Sequence, residues 1–248
     1  MKSTAFDPET NGHPPLMAEV EIHTPQGVIN GLLHKAEGAR GAMVMAGDDS
    51  GWPGDGFGDG SGDGSGDGSG DGSGDGSGDA LDGPAGLYES LAARLQKAGI
   101  SALRIDYRIP GDLPECIYDV LAGIEAMRQQ GVERVALLGW SFGGAVAITT
   151  GVASNLVVGV ATIACQNFGA EVAPDLSPKS LLLIHGTGDR TAPDQYSRDL
   201  YAYAREPKEL VLYPGGDHNL TQYAGAALDK LYAWSKRLLL ISARASGR

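Results

Sequence analysis

Basic residues are few and nowhere gathered. Lys and Arg number 19 against 31 Asp and Glu, for a formal charge of −12. No stripe of positive charge exists to meet phosphates, so no nucleic-acid partner is expected. Cysteine is nearly absent. Cys116 and Cys165 have neither metal-ligand spacing nor the pattern of a disulfide framework. Both stand in apolar surroundings and read as buried small hydrophobes of a reducing compartment. Long apolar runs are missing as well. None approaches the roughly 18 residues that a membrane helix needs, so no membrane partner is expected. The opening "MKSTAFDPETNGHPPL" lacks the apolar stretch of a secretory signal. Together these absences predict a soluble, cytoplasmic protein.

The acidity that is present is local. Between Ala46 and Gly83 stand ten Asp and no Lys, Arg or Glu, which leaves the rest of the chain close to neutral. Most of that segment is "GDGSGDGSGDGSGDGSGDGSGD", Gly58 to Asp79, a four-residue repeat without one apolar side chain. Such a repeat cannot bury apolar area, and regularly spaced like charges extend it, so a flexible coil is expected. Asp59-Gly60-Ser61-Gly62-Asp63-Gly64 has the opening of an EF-hand loop. The acid required at the twelfth position is Gly70, and no helices flank it. At most weak, nonspecific divalent cation binding follows, and no metal site is assigned.

The 248 residues as a whole are 42% hydrophobic, enough for a substantial core. "MAEVEIHT" alternates apolar and polar residues, and "GVINGLLHK" follows Pro25-Gln26, which predicts an antiparallel hairpin. "GAMVMAG" reads as a buried strand. Leu87, Leu91 and Leu95 mark a helix that Gly99 can end. Beyond it, "ISALRIDY", "RVALLGW", "LVVGVATIA", "SLLLIHG" and "ELVLYP" read as strands. Helices fall between them and at Thr221 to Leu239. Asp112 and Glu115 have capping-box spacing before one of these, with Pro114 in its first turn. Alternation of this kind predicts an α/β fold, a mostly parallel sheet with helices on both faces. The expected organisation is a flexible N-terminus at 1–16, one domain at 17–240 with an acidic Gly/Asp/Ser insertion at about 53–80, and a tail at 241–248.

Ligands of such sheets bind beyond the carboxyl ends of the strands, and three chemical residues fall there. Gly139-Trp140-Ser141-Phe142-Gly143 fits G-x-S-x-G, the strand-turn-helix that presents a nucleophilic serine. A serine hydroxyl needs a base to take its proton, and the base needs an orienting carboxylate. Asp189 follows one later strand and His218 the last, in the chain order Ser, Asp, His. Other residues compete poorly. His13 precedes the domain, His23 and His34 belong to the hairpin, and His185 ends an apolar strand and reads as structural. Asp217 is a weaker acid, since neighbouring side chains point apart. Asp106 reads as structural, with Arg108 as its expected partner.

With "GWSFGG", "IHGTGDRTAP", "GGDHN" and "GPAGLYESLAARLQKAGISALRIDYR" on the page, the chain from about Gly41 to Leu239 resembles the α/β-hydrolase superfamily, in its dienelactone-hydrolase-like branch. The resemblance implies hydrolysis of an ester, thioester or related acyl bond in a small-molecule substrate, through an acyl-enzyme and without a cofactor. It implies Ser141 as nucleophile, His218 as proton shuttle and Asp189 as the orienting acid. Trp140 is the candidate for pocket lining. Many relatives insert a cap before Ser180; the short "CQNFGAEVAPDLSPK" predicts no cap domain and an open site.

The oxyanion hole of such enzymes needs two amides. One is that of Phe142. The other falls at Gly47 or Asp48, in the loop that runs into the repeat. There the sequence departs from the family, since "AGDDSGW" sets Asp48 and Asp49 where negative charge develops. Two alternatives therefore stand beside the esterase: a non-catalytic binding protein with an impaired oxyanion loop, and a small peptidase.

Overall fold

The computed structural model describes residues 17–47 and 81–240. The alternating segment forms β1 (Ala18–Thr24), which turns at Pro25-Gln26 and pairs antiparallel with β2 (Gly27–His34) from Ala18↔Leu33 to Thr24↔Gly27. The chain then alternates through β3 (Gly41–Ala46), α1 (Leu87–Lys97), β4 (Ser101–Asp106), α2 (Leu113–Gln129), β5 (Arg134–Trp140), α3 (Phe142–Ala153), β6 (Val157–Ile163), β7 (Ser180–Gly186), α4 (Gln195–Tyr203), β8 (Lys208–Tyr213) and α5 (Ala224–Leu239). The sheet order is β1-β2-β4-β3-β5-β6-β7-β8. β2 meets β4 antiparallel, and β4 through β8 run parallel with β3. This is the expected mostly parallel sheet with an N-terminal hairpin at one edge.

The period-two pattern of the strands feeds two cores. From β3, Ala42, Val44 and Ala46 face α2, α3 and α4, while Met43 and Met45 face α1 and α5. Leu91 of α1 and Leu231 of α5 are wholly buried, each worth about 1.5–3 kcal/mol over exposure. α3 is built from small residues because it lies close against the sheet. A Cβ on Gly144 would meet Cys165 Sγ at 2.6 Å, and one on Gly151 would meet Val160 at 2.5 Å. Cys116 and Cys165 are buried and not joined in a disulfide, and burial pushes the Cys165 thiol pKa up.

The start of α2 differs from the expected capping box. Asp112 Oδ1 accepts from the Glu115 N–H at 3.1 Å, as a cap should. The Glu115 carboxylate does not reach back. It accepts from Arg108 Nη2 at 2.7 Å, while the Asp112 N–H donates to Ile109 O. Arg108 also donates from Nε to the wholly buried Asp119 at 2.6 Å, so α2 supplies the guanidinium with two carboxylates.

No cap domain lies between β6 and β7; a loop with one short helical turn, Ala173–Leu176, joins them. Among the described residues no helix is long and apolar enough to cross a membrane. Asp48, Asp49, the acidic repeat and its suggested cation binding, the N-terminal segment and the tail lie outside the described residues.

Candidate active site

β5 ends at Trp140 and α3 begins at Phe142, so Ser141 alone makes the turn. Its backbone stands at φ 54°, ψ −118°, a region that non-glycine residues seldom occupy. The turn is held by Ser141 N–H donating to Ile163 O at 2.9 Å and Gly144 N–H donating to Ser141 O at 3.0 Å. Its glycines are sterically required. A Cβ on Gly139 would stand 2.0 Å from Gly143 O, and one on Gly143 would stand 2.3 Å from Gly47 O. Gly47, which closes the described part of the β3 loop, is therefore packed against the elbow. Tyr88 Oη donates to Ala46 O at 2.8 Å and fixes the end of that strand. The Phe142 N–H opens α3, where amides lack intrahelical acceptors and the helix dipole favours negative charge.

The other two residues come from neighbouring loops beyond β7 and β8. These loops are tied by Thr187 N–H to Tyr213 O at 2.9 Å, Gly188 N–H to Gly216 O at 2.9 Å, and Gly215 N–H to Thr187 Oγ1 at 2.8 Å. They lie backbone to backbone, and a Cβ on Gly186 would stand 2.2 Å from Gly216 O. This packing brings Asp189 and His218 together across 29 residues, with His218 Nδ1 2.7 Å from Asp189 Oδ2.

The Asp189 side chain is fully buried and saturated with donors. Oδ1 accepts from the N–H groups of Thr191 at 2.8 Å and Ala192 at 2.9 Å. Oδ2 accepts from His218 and from His185 Nε2, the latter at 3.1 Å. Burial pushes the Asp189 pKa up, but the hydrogen bonds from His185, His218 and Ala192 more than offset it and hold the carboxyl well below the usual range. An ionised carboxylate only accepts, so His218 carries its hydrogen on Nδ1. In the neutral ring, Nε2 then holds a lone pair. That Nε2 is buried and has no hydrogen-bond partner among the described residues. Buried polar atoms without partners are uncommon. The imidazole lies against the indole of Trp140, ring centroids 5.6 Å apart and tilted 44°. Trp140 is itself buried and immediately precedes Ser141.

The competing residues are occupied elsewhere. Asp217 Oδ1 accepts from Thr221 N–H at 2.8 Å and caps a short helical turn. His23 pairs with Glu21 on the exposed hairpin, and His34 is buried behind it. His185 is wholly buried and shares the carboxylate of Asp189, a contact that no spacing in the sequence signals. Among the residues expected at the site, only Asp48 lies outside the description.

No protein-family model matches the chain. The uncharacterised protein YfhR of Escherichia coli strain K12 is 38% identical over 68 residues, 27% of this chain and 24% of YfhR. Protein PA2218 of Pseudomonas aeruginosa is 46% identical over 44 residues, 18% of this chain and 11% of PA2218. The chain thus spans a quarter or less of these curated relatives. Solved structures match far more of it. Dienelactone hydrolase from Anabaena variabilis ATCC 29413 is 18% identical, covers 92% of this chain and 100% of its own, and has a TM-score of 0.69. XC6422 from Xanthomonas campestris, an α/β serine hydrolase without a lid, is 18% identical, with coverage of 93% and 98% and a TM-score of 0.66. The esterase domain of a Rhodothermus marinus protein is 17% identical, with coverage of 90% and 99% and a TM-score of 0.65. At these identities the likeness is one of architecture.

Proposed function

We propose that this chain, which has the α/β-hydrolase fold in its dienelactone-hydrolase-like form, hydrolyses an ester, thioester or related acyl bond through a covalent intermediate on Ser141. The observation that carries the proposal is the buried, unpartnered Nε2 of His218, whose opposite nitrogen is anchored to Asp189 beside the strained Ser141 turn. That arrangement leaves one basic nitrogen without a hydrogen-bond partner among the described residues.

In the proposed cycle Ser141 Oγ bonds to the substrate carbonyl carbon and gives its proton to His218 Nε2. The carbonyl electron pair moves to oxygen, where the Phe142 N–H and an amide at Gly47 or Asp48 would stabilise it. Each such donor is worth about 10²–10³ in rate. The bond to the leaving group then breaks, and His218 Nε2–H supplies the leaving oxygen or sulfur with its proton. Water repeats the sequence on the acyl-enzyme, releasing the acid and free Ser141. Asp189 keeps Nδ1–H in place and stabilises the imidazolium that forms twice in each cycle. No step requires a cofactor.

The short connection between β6 and β7 favours small or exposed acyl groups over long lipids. p-Nitrophenyl esters of increasing chain length test this. Turnover is expected with short acyl chains, declining as they lengthen, and absent in Ser141→Ala. Matched anilides separate the esterase from a peptidase. The non-catalytic alternative draws on the sequence, which has Asp48 and Asp49 in the segment expected to supply an oxyanion amide; it predicts ligand binding with no turnover that depends on Ser141.

A further inference from the structure

We propose that His185 is a positioning residue that locks the carboxylate of Asp189 in the orientation which holds His218. The inference rests on the hydrolase reading for its effect on turnover, and on geometry for the lock itself.

His185 is the penultimate residue of β7 and has no exposed surface. Its two nitrogens are both engaged. Nε2 lies 2.9 Å from Ala192 O and 3.1 Å from Asp189 Oδ2. A carbonyl oxygen can only accept, so Nε2 carries a hydrogen that is shared between the two oxygens. Nδ1 lies 2.7 Å from the hydroxyl of Ser197, a wholly buried residue of α4. In the neutral ring that nitrogen accepts, and the Ser197 O–H donates to it. A chain of bonds therefore runs from Ser197 through His185 and Asp189 to His218. It fixes each ring's hydrogen without help from solvent.

The consequence lies in how Asp189 is gripped. Its Oδ1 is held by two backbone amides of its own loop. Those alone leave Oδ2 tethered only by His218, the group it must orient. The His185 N–H is the second, fixed donor to Oδ2, delivered from a rigid strand end. It prevents rotation of the carboxylate about its Cβ–Cγ bond when His218 gains and loses a proton. An apolar side chain of equal size would fill the same space and supply none of this.

The test compares His185→Leu, His185→Gln and Ser197→Ala with the intact protein, using a short p-nitrophenyl ester and Ser141→Ala as the blank. His185→Leu is expected to lower kcat by up to about 10²-fold with KM little changed, as for a mispositioned catalytic group. His185→Gln, whose terminal N–H reaches the place of Nε2–H, is expected to recover most of the loss. Ser197→Ala keeps the imidazole and should lower kcat by a smaller factor, which retains the test should His185→Leu fail to fold. Proton NMR of 15N-histidine-labelled protein gives a readout independent of turnover. The His218 Nδ1–H resonance should shift or broaden in Ser197→Ala and His185→Leu and return in His185→Gln. Equal kcat in all variants with an unmoved resonance refutes the lock. Absence of Ser141-dependent turnover in the intact protein refutes the hydrolase reading instead, and the resonance alone then decides the lock.

Discussion

Gly143→Ala tests whether the serine turn and the β3 loop are as tightly joined as described. The added methyl would stand 2.3 Å from Gly47 O and 2.4 Å from Ala46 O, both backbone atoms. Ordinary contact begins at 3.4 Å, so the β3 end must retreat by about 1 Å. It cannot do so freely, because Tyr88 Oη holds Ala46 O at 2.8 Å and β3 is paired on both sides. Overpacking of this kind costs about 1–3 kcal/mol, which in a chain of this size lowers Tm by roughly 2–12 °C. The same retreat moves the backbone that would supply the second oxyanion amide. A displacement near 1 Å costs about 10² in rate. Calorimetry or thermal circular dichroism gives the first quantity, and initial rates on a short p-nitrophenyl ester give the second. A variant with unchanged Tm and unchanged kcat would refute the close approach of Gly143 to Gly47, and with it the placement of the oxyanion loop.

Gly225 supplies the contrast. It lies in the first turn of α5 with nothing within 4 Å of a built Cβ, so Gly225→Ala should stabilise by about 0.5–1 kcal/mol, seen as a higher Tm with unchanged kcat. Asp189→Asn keeps the size of the side chain but frees His218 Nδ1–H, and kcat is expected to fall by about 10⁴-fold. The pKa of Asp189 is depressed in the folded state, so its contribution to stability is present above the unfolded value near about 3.9 and is lost as pH falls below it. Urea midpoints measured from pH 6 down to pH 2 should therefore fall less steeply in Asp189→Asn than in the parent. Deleting Gly58 to Asp79 shortens a loop whose closure depends only on the logarithm of its length, so urea titration should place stability within about 1 kcal/mol of the full chain.

The elements were legible wherever the apolar pattern ended on a turn residue. β5 and α3 fall at Arg134–Trp140 and Phe142–Ala153, because an apolar run stops at a glycine-flanked serine and a run of small residues follows. The pairing of Asp189 with His218 was readable for a related reason: both follow strands, and a parallel sheet collects its strand ends at one rim; Ser141 stands at the end of β5 on that rim, without a hydrogen bond to His218 Nε2. What escaped was contact that depends on loop curvature. His185 sits in an apolar run and looked structural. It reaches Asp189 because the loop after β7 folds back, with Asp189 Oδ1 accepting from the amides of Thr191 and Ala192. Glu115 had the spacing to complete a capping box, yet Arg108, brought alongside by the sheet, outcompetes a backbone amide for its charge. Asp217 reads as the weaker acid because neighbouring side chains point apart, and its side chain caps a turn, away from His218.

The most direct measurement is the reaction of the intact chain with a fluorophosphonate, followed by peptide mass mapping. One phosphonyl group should be found on the peptide holding Ser141, with labelling slowed by orders of magnitude in His218→Ala and abolished in Ser141→Ala. An unlabelled intact protein, or labelling at the same rate without His218, would contradict the convergence of the hydroxyl and the imidazole.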